Sequence, residues 1–67
     1  MKAEDAQPGD VLLDGGGKCW LRGSGENSWF TFDGPVMFFG PWKPEYGPLG
    51  RLDLLVRNGQ QVHKQNS

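Results

Sequence analysis

The chain has sixty-seven residues, seven Lys/Arg against eight Asp/Glu and a formal charge of −1. It is read as one small domain with no basic excess to draw in nucleic-acid backbones. Such a length buries only about 60% of its unfolded surface. A lone cysteine, Cys19, excludes an intramolecular disulfide.

The opening MKAEDAQ is polar, and Pro8 stops any helix started there. Residues 1–7 are expected to be flexible, with at most one helical turn. They carry acids where a signal peptide has its apolar core, and no apolar run approaches the ~20 residues of a membrane span. A cytoplasmic protein without membrane contact is the expectation.

Pro8-Gly9-Asp10 reads as a turn and Val11 to Asp14 as the first strand. Asp14-Gly15-Gly16-Gly17 then turns the chain into a second strand, Cys19 to Arg22. The triple glycine lacks the helix start of a phosphate-cradling loop. Gly23 to Ser28 is a second turn. Trp29 to Phe32 is the third strand, with Phe30 and Phe32 assigned to one face and Trp29 and Thr31 to the other. Asp33-Gly34-Pro35 turns into a fourth strand, Val36 to Phe39. Phe30, Phe32, Val36 and Phe38 are the expected core, with Met37 and Phe39 facing away.

Gly40 to Gly50 has neither helical nor strand period. Pro41, Pro44 and Pro48 fix three φ angles and lower the entropy lost when the loop orders. Arg51 to Arg57 is the fifth strand, with Leu52, Leu54 and Val56 on one face. Asn58-Gly59 is a type I′ hairpin pair, and Gln60 to His63 returns as a short edge strand. Lys64 to Ser67 is expected to be flexible. Five to six short strands at this spacing predict an all-β domain, closed as a small barrel with a Gly/Pro/aromatic loop.

The segment PGDVLLDGGGKCWLR, with Pro8-Gly9-Asp10-Val11 opening one strand and Gly17-Lys18-Cys19-Trp20 the next, resembles the first hairpin of small SH3-like β-barrels. With the later Gly-Pro-aromatic segment, the arrangement is similar to short uncharacterised proteins of actinobacteria and their phages, over roughly Ala6 to Val56. The resemblance implies a barrel fold. Such barrels bind peptides, nucleic acids or other subunits, so it implies no particular activity. The acidic loop and ALYDY-type segment of peptide-binding SH3 domains are absent, so proline-rich peptide binding is not carried over.

No convergent acid, base and nucleophile is visible. His63 stands in a polar tail, and Cys19 sits on a strand as a small hydrophobe. One Cys and one His do not make a four-ligand zinc site. The chain is therefore read as non-enzymatic, with no cofactor and no metal.

Ser28 to Tyr46 holds seven of the eight aromatic residues. One reading makes them core filling, with Trp42 plugging an open barrel end. The functional reading puts Trp29, Trp42 and Tyr46 in an exposed patch rimmed by Lys43 and Arg51; Trp, Tyr and Arg are the residue types most enriched at interface hot spots. It gives a protein-interaction module, such as a phage or mobile-element accessory protein that binds a host or virion component. A self-associating structural subunit is a variant. The alternative is single-stranded nucleic-acid binding, with Trp20, Trp29 and Trp42 as stacking platforms and Lys18, Arg22 and Lys43 on phosphates. The charge balance disfavours it.

Overall fold

A computed structural model describes residues 1–62. Six antiparallel strands form one sheet: β1 (Val11–Leu13), β2 (Cys19–Arg22), β3 (Trp29–Thr31), β4 (Gly34–Pro35), β5 (Asp53–Arg57) and β6 (Gln60–Gln61). Their order is β4-β3-β2-β1-β5-β6. Two 3-10 turns, Ala3–Asp5 and Pro44–Tyr46, are the only helical segments among the described residues. The all-β expectation holds, whereas closure into a barrel does not. The sheet is open, with β4 and β6 as its two edges. Each edge strand is two residues long, so neither offers a ladder on which closure could be built.

Short-range chemistry sets the hairpins. Asp14 Oδ1 accepts from the backbone N–H groups of Gly16 and Lys18, both at 2.9 Å, and Oδ2 accepts from the Trp20 indole at 3.0 Å. One carboxylate thus shapes the glycine turn and fastens it to the following strand. The Trp20 hydrogen bond first, and the two backbone donors after it, hold this carboxyl below its ordinary range. Asn58 and Gly59 both have positive φ, 55° and 75°, as a type I′ turn requires.

Side chains that pair across neighbouring strands share a face. Leu12, Trp20 and Leu54 are cross-strand partners, and Leu12 and Trp20 are buried together with Trp29 and Leu52. The two indoles meet edge to face, with centroids 6.1 Å apart. Met1, Ala3, Ala6, Val36, Trp42 and Leu54, partly buried, pack against this core. The start of the chain follows a defined path, because Met1 and Leu52 exchange backbone hydrogen bonds at 3.1 and 2.8 Å. The opposite face carries a second apolar row: Pro35, Phe30, Leu21, Val11 and Val56 are successive cross-strand partners.

Several expected placements are corrected. Leu21 pairs with Phe30 and Arg22 with Trp29, so Trp29 turns inward and Phe30 outward. A phase error of one residue reverses a strand's faces, and the larger indole takes the core. The hairpin turns on Phe32 and Asp33, so pairing resumes at Gly34. The fourth strand is Gly34–Pro35 rather than Val36 to Phe39. The last bond of this pairing runs from Val36 N–H to the Trp29 carbonyl at 2.8 Å. Phe32 is therefore at a turn tip, outside the core. In β5 the pairing with β1 shifts between Val11 and Leu12, so Val11 opposes Val56 and Leu12 opposes Leu54. This irregularity moves Val56 to the far face, away from Leu54. The sixth strand is confined to Gln60–Gln61, and His63 and Lys64 to Ser67 lie outside the described residues.

Candidate interaction surface

The loop after β4 keeps the in-and-out alternation of a strand without being one. Val36 packs on the core and Phe38 is half-buried, while Met37 is 80% and Phe39 95% exposed. Phe38 stacks on Tyr46 (centroids 5.6 Å, planes 22° apart) and meets Trp42 edge-on at 4.9 Å. Trp42 and Tyr46 close the triangle at 5.6 Å. Three rings and the prolines between them thus fix a segment that has no ladder.

The expected site residues separate into three groups. Trp29 is core, 4% exposed, so it is not part of an exposed patch. Its burial follows from the β2–β3 register. Trp42 and Tyr46 are half-buried in the ring cluster, and Trp42 packs against the core of an open sheet, with no barrel end for it to plug. Lys43 and Arg51 are exposed. Burial of Trp20 and Trp29 removes two of the three stacking platforms required by single-stranded nucleic-acid binding.

The exposed apolar groups are others. Phe32 is 97% exposed at the β3–β4 tip, and Met37 and Phe39 stand outward on the adjoining segment. A two-residue turn gives its side chains no sheet neighbour, so Phe32 gains nothing from the fold. The expected turn, Asp33-Gly34-Pro35, falls one residue late: Phe32 and Asp33 make the turn, and Gly34 and Pro35 already pair with β3. Thr31 Oγ1 accepts from the Asp33 N–H at 3.1 Å and helps to close the turn.

Beside the ring cluster lies a cleft of about 340 Å³, walled by Trp29, Trp42, Pro44, Gly47 and Pro48, with Arg22 at its base. The Arg22 guanidinium lies 5.6 Å from the Trp29 ring centroid. Its Nη1 reaches the carbonyls of Gly23 and Gly25, both at 2.6 Å, and of Ser28 at 3.2 Å. A second hollow of about 530 Å³, more open and apolar, holds Met1, Leu49 and Arg51. The two adjoin, with Ala3, Glu4, Pro44 and Pro48 lining both. The sequence sets Arg22 beside Trp29 and Trp42 only in the nucleic-acid alternative, whereas in the structure all three line the first cleft and Arg51 lines the adjoining hollow.

Among the described residues no group of three or more His, Cys, Asp or Glu side chains is arranged to hold a metal. No described helix is long and apolar enough to cross a membrane. Comparison with protein-family models, curated proteins and solved structures gave no match.

Proposed function

We propose that the chain is a non-enzymatic protein-interaction module that makes contact through the segment 28–46. The observation that carries this reading is the near-complete exposure of Phe32 in the β3–β4 turn and of Met37 and Phe39 on the adjoining segment, which three packed rings hold. Exposed apolar residues scattered singly need no explanation, but a group of them on one rigid segment is the usual mark of a contact surface. Ordering such a segment in advance lowers the entropy lost on binding. The SH3-like character of the opening hairpin belongs to the same proposal, as a platform of a kind that serves many partners.

The test is affinity capture with the wild type and a Phe32→Ser/Phe39→Ser variant, together with light scattering of both over a range of concentrations. A protein retained by the wild type and lost with the variant supports a heterologous partner. Concentration-dependent growth in mass that the variant abolishes supports the self-associating form. Identical retention and identical mass for the two proteins reject the surface.

A further inference from the structure

We propose that the groove between the first turn and the 42–51 loop is a second, separate contact site, which takes an extended peptide bearing a carboxylate beside apolar residues. Two hydrogen-bond donors among the residues that line its inner cleft carry the inference. Trp20 spends its indole N–H on Asp14. Trp29, although 4% exposed, has no acceptor for its own among the described residues, and its Nε1 lies 3.3 Å from where a side chain on Gly47 would begin. No fully buried side-chain nitrogen or oxygen lacks a partner among the described residues, so this N–H keeps some exposure beside Gly47, and both residues line the cleft.

Arg22 lines the same cleft. Its side-chain hydrogen bonds run through Nη1 alone, to the carbonyls that position the β2–β3 turn. Nε and Nη2 have no acceptor among the described residues. An indole N–H and a guanidinium lining one cleft suit an oxygen acceptor with negative charge, because charge-assisted hydrogen bonds are about twice as strong as neutral ones.

The rest of the groove selects the ligand's body. Pro44 and Pro48 form its shared floor, and Met1 and Leu49 give the outer lobe an apolar lining. The charged lining is Arg22, Lys2 and Arg51 against a single carboxylate, Glu4. The lining is therefore positive on a chain whose formal charge is −1, and that complementarity favours an acidic segment over a basic one. Two joined lobes suit a chain segment that sets an acidic residue in one and apolar residues in the other.

The probe is a fluorescein-labelled, end-capped Leu-Leu-Pro-Gly-Glu peptide, with its Gln analogue and sodium acetate as controls. Binding is followed by anisotropy and by the indole N–H resonances of the 15N-labelled protein. The Trp29 indole signal should shift saturably with the Glu peptide, and the Gln analogue should bind about tenfold more weakly, the loss expected for a hydrogen bond to a charged group. Trp29→Phe keeps a ring in the core and removes the donor, and it should weaken the Glu peptide by a similar factor. Leu49→Ser, at an exposed position, should weaken both peptides without changing the melting temperature. The Phe32→Ser/Phe39→Ser variant should bind the Glu peptide as the wild type does, even if it has lost its partner. An unmoved Trp29 signal, equal binding of the Gln analogue, or a full shift with acetate alone would each overturn the proposal. So would loss of peptide binding in the Phe32→Ser/Phe39→Ser variant.

Discussion

Asp10 and Arg57, forty-seven residues apart, face each other as a two-point ion pair, with Nε to Oδ1 at 3.1 Å and Nη2 to Oδ2 at 2.7 Å. Asp10 is fully buried, and its Oδ2 also accepts from the Gln7 N–H at 2.8 Å. It fastens the entry to β1 onto the end of β5. The Arg57 hydrogen bond first, with the Gln7 N–H assisting, holds the Asp10 carboxyl below its ordinary value of 3.8, against the opposing push of burial.

That direction fixes a pH dependence. A carboxyl whose folded value is lowered contributes stability above its unfolded value and loses it as pH falls through the folded one. Urea midpoints should therefore be flat near neutrality and fall below about pH 4. Asp14, lowered in the same direction, adds to the fall. Asp10→Asn should destabilise the protein at pH 7 by about 2–3 kcal/mol and shrink the difference between pH 7 and pH 3. An unchanged acid limb in the variant would remove Asp10 as its source.

Gly47 is a packing glycine. A Cβ there would lie 3.1 Å from Trp42 Cζ2 and 3.3 Å from Trp29 Nε1. Gly47→Ala should tilt Trp42 off the core at a cost of about 1 kcal/mol. Weakened near-ultraviolet dichroism with an unchanged far-ultraviolet spectrum is the expected signature.

Trp29, which opens β3, and Phe32, in the turn after it, should respond very differently. Trp29→Ala empties a core site and should cost about 3–5 kcal/mol, enough to unfold much of so small a protein. Phe32→Ser, two residues beyond the indole's neighbour Phe30, should change stability by less than about 0.5 kcal/mol. Thermal melts of the two variants make the comparison directly. A large loss in Phe32→Ser would place that ring in contact with the fold.

Asn58 occupies left-handed backbone, φ 55°, which asparagine tolerates better than most residues. Asn58→Val, with its branched β-carbon, should cost about 1–2 kcal/mol, while Asn58→Gly should be nearly neutral. Denaturant midpoints of the pair separate backbone strain from loss of a side-chain contact.

The hairpins were legible because their signals are local: Asp14 with its glycines and Asn58-Gly59 act within a few residues. The phase of β3 was not. In Trp29-Phe30-Thr31-Phe32 three of four positions are apolar, so alternation alone does not choose a face. The choice is made by pairing Leu21 with Phe30, a relationship between strands. Barrel closure was illegible for a similar reason, since it depends on whether β4 and β6 meet at the far ends of the order. The Asp10–Arg57 pair and the approach of Arg22 to Trp29 likewise depend on tertiary proximity. Val36 to Phe39 keep the expected alternation without the expected strand, but only Val36 reaches the core; Phe38 is half-buried against Trp42 and Tyr46 instead.

The Phe38–Trp42–Tyr46 cluster therefore separates two kinds of order. From Met37 to Lys43 no described backbone N–H has a main-chain acceptor, so amide hydrogens there should exchange with solvent almost as fast as in a free peptide. The rings beside them should flip slowly and keep dispersed chemical shifts. Because apolar packing weakens on cooling, chilling should loosen this segment before it disturbs the sheet.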